Sequence, residues 1–164
     1  MSKKASKAIP EGLQSLTPQF WFNGNCRQAI DFYKKALKAE VIGNIADSPD
    51  GKSVWHAMLK VGNSCIMLSD AMPDNWERGP QNGATMGVWL YADDCDAIFN
   101  SAVKNGCKVI MEMNDMFWGD RMGKVKDPYG HCWAIAARRW DYTPEEMKDK
   151  MDEFLAHPPE VHTV

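Results

Sequence analysis

MFWGDRMGKVKDPYGHCWAIA, Met116 to Ala136, reads as two strands joined by a tight reverse turn. Asp127 opens the turn, Pro128 brings a restrained φ to its second position, and Gly130 holds the fourth, the composition of a type I turn. The flanking strands are therefore expected to pair antiparallel. This stretch decides the fold because it closes a unit that the chain writes twice.

The first copy opens with Leu16 to Phe22, which alternates as a strand, with Gln19, Trp21 and Asn23 on one face and Phe20 and Phe22 on the other. Asn25 is placed to cap a helix in which Ala29, Ile30, Tyr33, Ala36 and Leu37 recur at helical spacing, with lysines near its C-terminal end. Val41 to Ile45, Val54 to Val61 and Cys65 to Ser69 follow as strands, the last two meeting at Gly62-Asn63. The order is βαβββ. It recurs with a strand at Met86 to Ala92, a helix capped by Asp93 or Asp94 and ended by Asn105-Gly106, and strands at Lys108 to Glu112, Gly119 to Lys126 and His131 to Ala137. Ala29-Ile30 and Ala97-Ile98, Val41-Ile42 and Val109-Ile110, and Trp21 and Trp89 all lie 68 apart, while Cys65 and Cys132 lie 67 apart. A steady offset through helix and strands marks an internal repeat. One unit of about 60 residues is marginal alone, so the two are expected to share a core.

The reading divides the chain into a mobile arm (1–14), units at 15–70 and 84–140 joined by a Pro- and Gly-bearing linker (71–83), a helix at 141–156 and a fraying tail at 157–164. In the last helix Thr143 is the N-cap, Pro144 the first helical residue, and Glu146 completes a capping box. Met147, Met151 and Phe154 or Leu155 form an apolar stripe that needs a docking surface.

Of 164 residues, 45% are hydrophobic and 25% charged, with a net charge of −3, which suits a globular chain and provides no basic stripe for nucleic acid. No apolar run reaches the roughly 20 residues that span a bilayer, and no signal peptide is read, so the expectation is a cytoplasmic protein with no membrane partner. Five cysteines, odd in number and without a C-x-x-C pair, read as buried thiols rather than a disulfide frame or zinc knuckle. Cys65 or Cys132 would need a neighbouring base to act as a nucleophile. No Ser-His-Asp pattern, phosphate loop or Gly-rich nucleotide loop is present.

Through the tandem units, GNCRQAIDFYKKAL, HAMLKVGNSCIMLSD and FWGDR, the chain resembles the glyoxalase, bleomycin-resistance and extradiol-dioxygenase superfamily, also called vicinal oxygen chelate, and within it the PhnB-like branch, over residues 15 to 156. The resemblance implies an α+β fold in which two βαβββ units form curled mixed sheets, half-barrels around a cavity, plus a C-terminal helix, and it implies a homodimer. It also implies metal-ligand positions on the first and last strand of each unit. Here they read Gln19, Met67, Gly87 and Ala134. Glycine and alanine offer no donor, a thioether suits soft metals, and only Gln19 could meet a hard cation, so no metal or other cofactor is expected.

The expected activity is therefore binding of a small apolar or aromatic molecule in the cavity. Gln19, Trp21, Trp89 and Tyr91 share a strand face by alternation and would line it, with Trp118 beside them and Arg121 placed to hold an anionic group. These rings could equally be core, the seven methionines of the two units could be gap filler, and Asp120 and Arg121 could be a surface ion pair or turn residues. His56 is either a cavity acid, base or donor, or a histidine bonded within the sheet; His131 reads as a solvent-facing hairpin residue. The alternative is a metal-dependent lyase, isomerase or dioxygenase of the same superfamily, with a divalent metal on ligands recruited from Gln19, His56 or His131.

Overall fold

The computed structural model describes residues 8–10, 13–72 and 76–164. Residues 1–7, 11 and 12 of the expected arm and 73–75 of the linker lie outside the described residues. The elements run β1 (Gln19–Phe22), α1 (Cys26–Ala36), β2 (Glu40–Asp47), β3 (Val54–Val61), β4 (Ser64–Asp70), then β5 (Gly87–Tyr91), α2 (Cys95–Lys104), β6 (Lys108–Asp115), β7 (Asp120–Lys126), β8 (Cys132–Arg138) and α3 (Pro144–Ala156). Two βαβββ units and a C-terminal helix are thus present.

Each unit builds its own four-stranded sheet, ordered β1-β4-β3-β2 and β5-β8-β7-β6. The first strand of each lies parallel to the last, and the other neighbours are antiparallel. The expectation of curled half-barrels around a cavity is not met: both sheets are open, ending at β1 and β2 and at β5 and β6, and among the described residues no strand of one is bonded to the other. The reason lies in which faces are apolar. Phe20, Phe22, Leu59 and Leu68 of the first sheet and Val125, Trp133 and Ile135 of the second all point to the helix side, where α1 and α2 join them in one core. The units share their helical faces. Their other faces are left uncommitted to one another.

A buried carboxylate ties the units together. Asp127, only 3% exposed, accepts hydrogen bonds from the Tyr33 hydroxyl of α1 (2.6 Å) and the Trp133 indole N–H (3.0 Å), and its other oxygen accepts from the backbone N–H groups of Tyr129 and His131. The same residue forms the β7–β8 turn, whose Gly130 N–H donates to the Asp127 carbonyl at 3.1 Å. Gly130 takes φ +95°, the left-handed position that follows a type I turn in a three-residue hairpin loop. Burial, and then the neighbouring carboxylate, push the Tyr33 hydroxyl well above its ordinary range, so it stays a neutral donor.

Asn25 makes no side-chain cap on α1. Asp70 does that work from the end of β4, one oxygen accepting from the Cys26 N–H and the other from the Val54 N–H, both at 2.9 Å. Asp94 caps α2 through the Ala97 N–H (3.0 Å), and the Thr143–Glu146 box closes on α3. The repeat also slips locally. The buried positions of α1 (Cys26, Ala29, Ile30, Tyr33) match Cys95, Ile98, Phe99 and Ala102 of α2 at a separation of 69, so Ala97, the partner implied by an offset of 68, sits exposed.

The segment after α3 lies along the β6 edge, where Val161 bridges to Met111 and the His162 N–H donates to the Ile110 carbonyl at 2.7 Å. Among the described residues no helix is long and apolar enough to cross a membrane.

Candidate functional site

The helix-free face of the second sheet carries the site. Strand alternation puts Trp89, Ala134, Lys124 and Met111 in one row across β5, β8, β7 and β6, each paired in register with the next. The next row is Tyr91, Ala136, Met122 and Asn114. Central positions are therefore small or flexible and edge positions large. The face is a trough floored by Ala134 and Ala136, with the Trp89 and Tyr91 rings along one side, stacked at 6.0 Å and 29°.

Trp118 and Met116 come from the β6–β7 turn, which folds back because Gly119 takes φ +98° and a Cβ there would collide with the Trp140 carbonyl. Asp120, 4% exposed, holds this end of the wall. One of its oxygens accepts from Tyr91 (2.9 Å) and from the Trp118 indole N–H (3.0 Å), and the other meets Arg138 at 3.3 Å. Burial and then the Asp120 bond raise the Tyr91 hydroxyl above its ordinary value, keeping it a protonated donor. Phe154 of α3 packs on Phe117 (5.4 Å) and against the Met111, Met116 and Met122 cluster, and Pro158, Pro159 and Val161 complete the cover. The enclosed space is ≈ 270 Å³. Such a space, apolar with aromatic walls, suits a small flat molecule.

The expected site residues separate into groups. Trp89, Tyr91 and Trp118 meet at this trough. Gln19 and Trp21 lie on the helix-free face of the first sheet, beside a larger cavity of ≈ 610 Å³ under the linker that His131 also lines, and Gln19 donates to the Ser69 hydroxyl at 3.0 Å. His56 is half-buried in β3, next to Ala46 of β2. Arg121 points the other way, toward α2, where its guanidinium grips the Asp96 carboxylate at 2.7 to 3.1 Å and reaches Asp115 at 3.4 Å. That pairing raises the Arg121 pKa and lowers that of Asp96. His131 is partly buried rather than solvent-facing, stacked on Phe20 at 4.6 Å. Burial pushes the Cys26 and Cys107 thiols up to about 12 and raises those of Cys95 and Cys132, against nucleophilic use.

Lys124 escaped the sequence reading, although alternation from Asp120 through Met122 places it on the trough face and Arg121 on the opposite one. Its charge reads as that of a solvated strand residue, and it is exposed, but the residues that line the trough with it are apolar. Phe154 was foreseen only as part of a stripe in search of a surface.

The family's metal positions do not fit a metal here. Gln19 pairs in register with Met67, whereas Gly87 pairs with Cys132 and Ala134 with Trp89. No group of three or more His, Cys, Asp or Glu residues that could hold an ion occurs among the described residues. Gln19 and His131 line the cavity under the linker together, whereas His56, in β3 opposite Ala46, is not among its lining residues, so the three do not converge.

Similar proteins carry the same frame. The chain is 34% identical over 128 residues to the protein Rv0887c of Mycobacterium tuberculosis, covering 75% of this chain and 74% of that one. It is 30% identical over 139 residues to protein YjdN of Escherichia coli, covering 73% and 92%. The crystal structure of PA1353 from Pseudomonas aeruginosa superposes with a TM-score of 0.62 at 24% identity, over 77% of this chain and 99% of that one. With residues 20–135 matching its pattern, this chain belongs to the Glyoxalase/Bleomycin resistance protein/Dioxygenase superfamily.

Proposed function

We propose that this protein binds a small apolar or aromatic molecule in the trough of the second sheet, and that binding or sequestration is its activity. The observation that carries the reading is the ≈ 270 Å³ space in which Trp89, Trp118 and three methionines converge under Phe154. Stacking on indole walls and burial of apolar surface would supply the affinity. Within the superfamily, its own FYKKAL and FWGDR stretches support the PhnB-like branch. A cytoplasmic homodimer remains part of the proposal, its dimer supported by the β2 edge of the first sheet, where Ile42 is exposed.

The test is a titration of the intrinsic tryptophan fluorescence with naphthamide, a flat neutral probe. Trp118→Ala should weaken binding by about tenfold or more, the cost of losing an aromatic wall. Trp21→Ala, on the other sheet, should leave it unchanged. Equal losses in both variants, or no quenching of the natural chain, would sink the proposal. Metal analysis of the purified protein separates it from the enzyme reading: about one divalent ion per chain, lost on Gln19→Ala or His56→Ala, would favour the metal-dependent alternative.

A further inference from the structure

We infer that the molecule held in this trough is an acid: an apolar, aromatic body carrying a carboxylate, which the Lys124 ammonium receives. The inference rests on the binding reading above and narrows it to a ligand class.

Lys124 is the only ionisable side chain among the described residues lining the space, the others being aromatic rings, methionines, prolines and a valine. It sits mid-sheet, between Ala134 and Met111, and is exposed there. Among the described residues it has no hydrogen-bond or ion-pair partner. Its charge draws the Cys132 thiol downward, against the larger effect of burial. Neighbouring cations are committed. Lys126, on the same face, bonds to the Val164 carbonyl, and Arg138 serves Asp120, Asp141 and the Trp118 carbonyl.

An unpaired cation beside apolar walls selects its occupant. A neutral guest that covers part of the ammonium displaces some of its water and returns nothing. An anion fixed to an aromatic ring places its charge beside Lys124, an exposed residue whose attraction for it falls as salt rises, while the ring meets Trp89 and Trp118. Asp120, the nearest buried carboxylate on this face, does not compete, since Arg138, Tyr91 and Trp118 already satisfy it.

The experiment compares naphthoate with naphthamide, near-isosteric and differing in charge, against the natural chain, Lys124→Met and Lys124→Arg, with Trp118→Ala as the control for the pocket. The natural chain should bind naphthoate about tenfold tighter than the amide, with a preference that shrinks as salt rises. Lys124→Met should abolish the preference, and Lys124→Arg should retain it. A preference that survives Lys124→Met, or none in the natural chain while Trp118→Ala still weakens both probes, would overturn the inference and leave the pocket standing. Failure of the natural chain to bind either probe would remove the pocket reading and this inference with it.

Discussion

The two sheets have the same strand order and opposite relief on their helix-free faces. Across the first, the row Gln19, Met67, Met58, Ile42 puts long methionines on the two central strands. Across the second, Trp89, Ala134, Lys124, Met111 puts an alanine and a flexible lysine at the centre and bulk at the edges. The first face is filled in its middle, its cavity lying at the β1 edge under the linker; the second is hollowed at its centre. Cover differs too, because α3 and the segment after it lie against the second sheet's cluster, while the first sheet has the linker over its β1 edge. Backbone topology repeats while the site does not. A binding site on this scaffold is set by residue size at a few central positions and by what the chain drapes over them.

The largest effect should come from the carboxylates that anchor each unit. Asp127 satisfies four donors and joins α1 to the second sheet, whereas Asp70 satisfies two backbone N–H groups within the first unit. A buried donor left unpaired costs about 1–3 kcal/mol, so with partial relaxation Asp127→Ala should cost about 3–5 kcal/mol and Asp70→Ala about half as much. Urea unfolding measures both. Equal losses would mean that the inter-unit Tyr33 bond contributes nothing beyond the local turn.

A smaller effect tests the relief itself. Ala134→Met writes the first sheet's central residue into the trough and should weaken naphthamide binding by about tenfold, or ~1.4 kcal/mol. Met67→Ala hollows the first face, against which α3 does not pack, and should create no new binding. Isothermal titration of both variants would break the comparison if Met67→Ala gained a second site, since cover would then be unnecessary.

How much of this was legible follows from which signals are local. The Thr143 capping box, the Asp94 cap and the Asp127 to Gly130 turn depend on neighbours in sequence, and the structure has each where the residues put it. Asp70 and Asp127 as anchors could not be read. Their partners lie as far as 94 residues away, and a lone aspartate at a strand end reads as a turn former. The constant offset of 68 concealed a one-residue slip in the helices, since it matched letters where burial matches Ala29 to Ile98. The half-barrels failed for a related reason: alternation gives each strand two faces but does not say which faces of two sheets meet. Arg121 was assigned to the cavity through its neighbour Trp118, although strand parity with Met122 and Lys124 puts it on the α2 side.

The smallest effect concerns the hairpins. The β7–β8 turn of the second unit carries His131 stacked on Phe20 of the first, while the corresponding β3–β4 turn at Gly62-Asn63 carries no titratable group. Burial holds the His131 imidazole below its ordinary value of 6.5, opposed in part by the Asp127 carboxylate. The unfolded chain therefore takes up a proton that the folded chain resists. Above pH 6.5 both states are neutral at this site and it adds no pH dependence; as pH falls below that value, protonation favours the unfolded state and stability declines until the folded pKa is passed. His131→Phe keeps a ring against Phe20 and removes the proton site, so its stability should fall less than that of the natural chain between neutral pH and about 5. The measurement is the urea midpoint across that range. Parallel slopes in the two proteins would show that His131 is as easily protonated folded as unfolded, and that the contact between the units opens enough to admit water at its ring.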